Sequence, residues 1–124
     1  MNPAFTDDEI GAVASVLKVL GHDVRLKLMR TLLAHGETSV GELEALAGVG
    51  QPGLSQQLAI LRKAGLVQTR RDAKLIFYSL APEALPDAAR LISALAGVSS
   101  GDKLEGGKKA PSPAGSAATF ARIL

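Results

Sequence analysis

The stretch QPGLSQQLAILRKAGL, residues 51–66, has the spacing of one helix with two unlike halves. Its first half is polar and carries Gln51, Ser55, Gln56 and Gln57, whereas its second half is mostly apolar. A surface helix would be equally soluble with Glu or Lys at these positions. Amides and hydroxyls are instead the groups that hydrogen-bond the edges of DNA bases. The stretch therefore predicts a helix that contacts DNA bases.

A shorter helix is predicted just before this stretch. Ser39 and Glu42 have the spacing of a capping box, in which each side chain bonds the other residue's backbone N–H. Residues 48–50 (GVG) then form a tight turn before Gln51. Two short helices joined by a glycine-containing turn are the helix-turn-helix pattern.

Further elements are predicted on both sides of this motif. A capping box at Thr6 and Glu9 opens a first helix that runs to about Leu20, and a second helix spans about residues 23–34. Residues 66–80 alternate and are rich in β-branched and aromatic residues, which predicts a β-hairpin with Asp72-Ala73 at its tip. A last helix is predicted to start near Pro82. The expected fold is therefore mainly α with a small β-hairpin (α+β).

The composition narrows the class of protein. The 124 residues are 47% hydrophobic but only 3% aromatic, which predicts one helical domain with an aliphatic core. We expect this domain to span residues 1–96 and a flexible tail rich in Gly, Ser, Pro and Lys to span residues 97–124. The chain has no cysteine, so it has no disulfide, thiolate metal site or thiol switch. With no long apolar run and no signal-like start, we expect a cytoplasmic protein without membrane contact.

Charge is distributed unevenly along the chain. Residues 1–50 hold four basic and seven acidic side chains, whereas residues 62–74 hold five basic side chains against Asp72 alone. A compact basic block predicts a polyanionic partner, and a solvated charged hairpin is the alternative.

Three blocks of the sequence together resemble the ArsR/SmtB family of dimeric bacterial repressors. They are LKVLGHDVRLKLMRTL (residues 17–32), SVGELEALAGVGQPGLSQQLAILRKAGLV (residues 39–67) and TRRDAKLIFYSL (residues 69–80). Within the family they are most similar to the HlyU-like, sulfide-responsive branch and to the cysteine-free, NolR-like members. The resemblance implies a winged helix-turn-helix that dimerises through its first and last helices. It also implies that the Gln51 helix enters the major groove and that the wing at residues 70–74 follows the DNA backbone or minor groove.

The predicted DNA contacts combine the polar helix start with the basic side chains of the helix end and the wing. They are Gln51, Pro52, Ser55, Gln56, Gln57, Arg62, Arg70, Arg71 and Lys74. The predicted dimer contacts are Ile10, Val13, Leu17, Leu91, Ile92 and Leu95. Arg25 matches an Arg of the family beside the helix-turn-helix, where a buried or half-buried ion pair with an acid and a DNA contact remain alternatives.

The sequence argues against two other types of site, a dinucleotide site and a metal site. GVGQPG at residues 48–53 formally fits the dinucleotide fingerprint G-x-G-x-x-G. That fingerprint needs a preceding buried strand, whereas residues 42–47 are capped and helix-periodic, so nucleotide binding is not predicted. Where the family has a pair of metal-binding thiolates on the third helix, this sequence has GELEALA (residues 41–47), which contains no cysteine. His22 and His35 would lie roughly 20 Å apart on one helix, too far to share a metal ion. No metal, no cofactor and no catalytic constellation is predicted.

The sequence thus predicts a homodimeric regulator that binds double-stranded DNA at a palindromic operator, acts as a repressor and responds to neither metals nor thiol oxidants. Its inducer is unknown. Two alternatives remain open. The first is an anti-activator that keeps the winged-helix fold as a protein-interaction module without DNA affinity. The second is a repressor that is released by an apolar small molecule bound between the dimer helices.

Overall fold

The computed structural model describes residues 5–97. The elements, in chain order, are α1 (Asp7–Leu20), α2 (Asp23–His35), β1 (Thr38–Ser39), α3 (Val40–Ala47), α4 (Gly53–Lys63), β2 (Val67–Asp72), β3 (Leu75–Leu80) and α5 (Leu85–Leu95). The chain divides into two units after Ala88, inside α5. Five helices and one small antiparallel sheet confirm the predicted fold class. The predicted tail, apart from Gly97, lies outside the described residues.

Both predicted capping boxes are present. The Thr6 backbone N–H donates to Glu9 Oε1 at 3.0 Å, and the Glu9 N–H donates to Thr6 Oγ1 at 3.1 Å. Ser39 and Glu42 make the corresponding bonds at 3.2 and 3.3 Å at the start of α3. Each box satisfies N–H groups that a helix start otherwise leaves without partners, which is why α1 and α3 begin where the sequence predicts.

The sheet has the order β1-β3-β2, and all its pairs are antiparallel. Asp72 pairs with Leu75, so the two-residue tip of the hairpin is Ala73-Lys74 and the predicted tip Asp72-Ala73 was wrong by one residue. Ala73 has a φ of +58°, a turn conformation that its side chain gives no reason to expect. Strand β1 was not predicted because two residues are too few to show alternation.

The core is built from leucines of the helix-turn-helix and its neighbours. The fully buried side chains are Leu28, Leu32, Leu43, Leu54, Leu58, Leu61 and Leu66. Leu54, Leu58 and Leu61 are spaced four and three residues apart on α4, so one face of this helix is buried and the other is exposed. The core therefore fixes which side chains of α4 face outward.

Helix α5 begins three residues later than predicted. The Ala81 N–H still donates to the Leu66 carbonyl at 3.0 Å, which extends the hairpin by one residue. The chain then bends through residues 82–84 before α5 starts at Leu85. Pro82 has no N–H group to donate to the sheet, so it ends the hairpin instead of opening the helix. No helix within residues 5–97 is both long and apolar enough to cross a membrane.

Candidate nucleic-acid interface

Gln51 lies in the turn before α4 and not in its first turn, which corrects the predicted helix start. The helix begins at Gly53, and Pro52, at the N-cap position, has no side-chain acceptor. Gln51 Oε1 instead accepts the Ser55 backbone N–H at 3.1 Å. The side chain of Gln51 thus caps α4 from the turn before the helix. The spacing of apolar residues in the sequence does not indicate this contact.

The hydroxyl of Ser55 contacts the same oxygen of Gln51. Ser55 Oγ lies 2.7 Å from Gln51 Oε1, and both side chains are exposed. These two predicted DNA-contact residues are therefore brought together at the start of α4, beside the exposed Pro52.

Gln56 and Gln57 are adjacent in sequence but differ in their surroundings. Gln57 is half-buried, and its Oε1 accepts a hydrogen bond from Arg25 Nε at 2.8 Å. Gln56 is exposed, and its side chain makes no hydrogen bond to any of residues 5–97. Gln56 is therefore the glutamine on this helix whose amide donor and acceptor are both free, as bidentate pairing with adenine requires.

Arg25 connects three helices from a half-buried position on α2. Besides donating to Gln57 on α4, its Nη1 donates to the Val19 carbonyl of α1 at 3.0 Å. The acidic partner considered from the sequence is absent among residues 5–97, since both acceptors of Arg25 are neutral. The charge of Arg25 is used here to strengthen two hydrogen bonds that hold α4 against α1 and α2.

Arg70 on the wing is engaged by an acid that the sequence analysis did not single out. Its Nε and Nη2 donate to the two carboxylate oxygens of Glu37, each at 2.9 Å, and its guanidinium lies 4.9 Å from the ring centre of Phe77. The hydrogen bond from Arg70 lowers the pKa of Glu37, and the same contact raises the pKa of Arg70. Asp72 lies further away, at 3.9 Å. No local pattern links Glu37 to Arg70, which follows it by 33 residues.

The remaining predicted cations have no acidic partner within residues 5–97. Arg62, Arg71 and Lys74 are exposed, and none of them pairs with an acid of residues 5–97. Because side chains alternate along a strand, Arg70 and Arg71 point to opposite faces of the hairpin. The wing therefore presents two unpaired cations, Arg71 and Lys74, rather than three equivalent ones.

The predicted dimer residues differ in exposure. Ile10, Leu17, Ile92 and Leu95 are 41%, 36%, 47% and 74% exposed, and Leu91 is half-buried. Val13 is 2% exposed and lies inside the protomer, which corrects the expectation that it faces a partner. Two further leucines on α2, Leu26 and Leu33, are exposed and were not predicted as contacts.

The sequence matches a known family of bacterial regulators. The model of the bacterial regulatory proteins of the ArsR family matches residues 22–69, from the start of α2 into β2. A biofilm growth-associated repressor of Agrobacterium fabrum is 60% identical over 83 residues, which cover 67% of this chain and 68% of that protein. The chain belongs to the ArsR family. The transcriptional activator HlyU of Vibrio cholerae is 45% identical over 65 residues, which cover 52% of this chain and 59% of HlyU.

The solved structures of three other proteins share the fold. The repressor BigR of Xylella fastidiosa has a TM-score of 0.59 and 52% identity, covering 72% of this chain and 87% of BigR. NolR of Sinorhizobium fredii has the same TM-score at 31% identity, covering 80% of this chain and all of NolR. A homodimeric winged helix-turn-helix DNA-binding domain of Mycobacterium bovis has a TM-score of 0.53 and 30% identity, covering 72% and 76% of the two chains.

These findings confirm the resemblance stated from the sequence, including the HlyU-like and NolR-like similarity. As an ArsR-family protein the chain is a DNA-binding transcriptional regulator and not an enzyme. Among residues 5–97, no three His, Asp or Glu side chains are close enough to hold a metal ion.

Proposed function

We propose that this protein binds a palindromic DNA operator as a homodimer and represses transcription from it. The observation that carries the proposal is that α4 has one buried face and one exposed face. Leu54, Leu58 and Leu61 fix the helix in the core, while Ser55 and Gln56 stay exposed. A helix held in this way can lie in the major groove with its amide and hydroxyl groups against base edges.

The basic side chains on either side of α4 support the same mode of binding. Arg62 lies in the last turn of the helix, and Arg71 and Lys74 lie on the wing, all exposed and unpaired with any acid of residues 5–97. Charges of this kind bind phosphates, which positions a protein on DNA without selecting a sequence. We propose that the three cations hold the protein on the DNA backbone while α4 selects the bases.

The homodimer is supported by exposed apolar residues on the first and last helices. Ile10 and Leu17 on α1, and Ile92 and Leu95 on α5, are each at least one third exposed. A structural neighbour is itself named a homodimeric DNA-binding domain. A two-fold dimer presents two α4 helices and therefore requires two inverted half-sites, about one helical turn apart. Val13, being buried, is left out of the proposed interface.

Repression is favoured over activation by the order of similarity. The relative named a repressor is 60% identical, whereas the relative named an activator is 45% identical. A reporter gene behind its operator should be silenced by the wild type, and increased expression would overturn the repressor assignment.

A regulator that binds chromosomal DNA acts in the bacterial cytoplasm, and we place the protein there.

We also propose that DNA affinity does not respond to metals or thiol oxidants. The chain contains no cysteine, and its two histidines lie at opposite ends of α2, at His22 and His35. Operator binding should be unchanged by zinc, cadmium, arsenite or peroxide. Release at a stoichiometric concentration of any of these agents would contradict the proposal.

Selection from a random duplex library tests the function as a whole. The purified protein is incubated with the library, bound duplexes are recovered and amplified, and the enriched sequence is identified. We expect an inverted repeat, bound about a thousandfold or more tightly than a scrambled duplex of the same composition. Absence of any enriched sequence would contradict DNA recognition and would favour the anti-activator, which keeps the fold without DNA affinity.

A further inference from the structure

The contact between Gln51 and Ser55 defines the hydrogen-bonding direction of both side chains. The Ser55 backbone N–H can only donate, so the Gln51 atom that lies 3.1 Å from it is the carbonyl oxygen and not the amide nitrogen. This assignment is independent of the ambiguity that usually affects amide side chains, because an N–H group leaves no alternative.

The hydroxyl of Ser55 is assigned by the same reasoning. Its Oγ lies 2.7 Å from Gln51 Oε1, which carries no hydrogen, so the hydroxyl donates its proton to that oxygen. Both lone pairs of the Gln51 carbonyl are then in use. Gln51 is left with its amide N–H₂ as a donor, and Ser55 is left with Oγ as an acceptor.

We propose that Gln51 and Ser55 together recognise one adenine in each half-site, with Gln51 as donor and Ser55 as acceptor. In the major groove, adenine exposes its N7 acceptor directly beside its N6 amino donor. A single glutamine usually pairs with both groups through its own amide. Here the acceptor end of Gln51 is occupied, and Ser55 Oγ replaces it. This inference rests on the proposed function, because it requires that the start of α4 lies in the major groove.

The pairing is tested by removing single atoms of the DNA. Each adenine of the selected half-site is replaced in turn by 7-deazaadenine, which lacks N7, and by 2-aminopurine, which lacks the N6 amino group. At one position, both replacements should weaken wild-type binding about tenfold. At that position Gln51→Met should be insensitive to 7-deazaadenine, and Ser55→Ala should be insensitive to 2-aminopurine.

Gln51→Glu separates recognition from helix capping. A carboxylate still accepts both hydrogen bonds from Ser55 but offers an acceptor where the amide offered a donor. We expect unchanged thermal stability, about tenfold weaker binding to the selected operator, and a preference at that position for cytosine, whose N4 amino group donates. Comparison with a scrambled duplex corrects for the added negative charge.

Two outcomes would overturn the inference. One is that no adenine shows the paired dependence on Gln51 and Ser55, and the other is that Gln51→Glu keeps the wild-type base preference. Both differ from a failure of the proposed function, in which the wild type itself would not distinguish the selected operator from the scrambled duplex.

Discussion

Arg70 of the wing and Glu37, in the turn after α2, form a two-point ion pair with both N–O distances at 2.9 Å. The Arg70 side chain is 53% exposed, so it remains accessible to a DNA phosphate. Glu37 and a phosphate would use the same N–H donors, since bidentate binding suits a carboxylate and a phosphate equally. We therefore expect Glu37 to compete with DNA for Arg70.

Replacing Glu37 by Gln should release Arg70 for the DNA backbone. We expect tighter binding to scrambled DNA and a steeper dependence of log affinity on log salt, by up to about two units for a dimer, since each phosphate contact contributes about 0.9. The measurement is a salt titration by fluorescence anisotropy. Asp8→Asn, which removes the same charge from an exposed position on α1, is the control. Equal slopes for the two variants would show that Glu37 does not restrain Arg70.

The ion pair should also be visible in the titration of Glu37. Arg70 lowers the pKa of this carboxyl below its ordinary value of 4.5, so Arg70→Ala should raise it again, which carboxyl-carbon NMR measures. Because the folded pKa is the lower one, the stabilisation is present above the unfolded pKa and is lost as the pH falls through the folded pKa. The stability difference between wild type and variant should therefore shrink on acidification. An unshifted pKa in the variant would contradict the pair in solution.

Replacing Ala73 at the wing tip by glycine should stabilise the fold. The φ of +58° at Ala73 costs an L-residue roughly 1–2 kcal/mol, whereas glycine adopts this angle without strain. Part of the stability gained in this way is lost again, because glycine makes the unfolded chain more flexible. Ala73→Gly should raise the free energy of unfolding by up to about 1 kcal/mol in a denaturant titration. The same change at Ala45, inside α3, should lower it by a similar amount. Destabilisation at both positions would contradict the left-handed tip.

The two unpaired cations of the wing should account for much of its salt dependence. Replacing Arg71 and Lys74 by Ala removes about four phosphate contacts from a dimer, which should flatten the salt plot by about 3–4 units on the operator and on scrambled DNA alike. Lys18→Ala/Lys27→Ala, at exposed positions on α1 and α2, removes the same charge away from the wing. If the two double variants give the same slope, the wing does not contact DNA.

Sequence reasoning predicted the elements whose signals are local. The capping boxes at Thr6 and Ser39 and the leucine spacing of α4 depend on residues within one or two turns. The pairs Arg70–Glu37 and Arg25–Gln57 are 33 and 32 residues apart and are made only by tertiary packing, which no local pattern encodes. The predicted hairpin tip was wrong by one residue because Ala73 has a positive φ, and only Gly or Asn at that position would have indicated the turn from the sequence.

The same limit applies to the candidate site. The sequence identified the polar side chains around the start of α4 but not which of the glutamines Gln51, Gln56 and Gln57 has a partner within the protein. In the fold, Gln51 caps the helix, Gln57 holds Arg25, and Gln56 alone among the three has a side chain without a hydrogen-bond partner in residues 5–97. Their separate roles depend on where α4 begins and on which helix packs beside it.

The most direct test of base recognition by α4 compares Gln56→Ala with Gln57→Ala by anisotropy on the selected operator and on a scrambled duplex. Gln56→Ala should weaken operator binding by about 1–3 kcal/mol, leave scrambled DNA unaffected and keep the stability of the fold. Gln57→Ala should lower stability by about 1–3 kcal/mol, because it leaves the Arg25 donor unpaired, and should keep the base preference. Equal losses on both duplexes for Gln56→Ala, or no loss on either, would contradict recognition of bases by this helix.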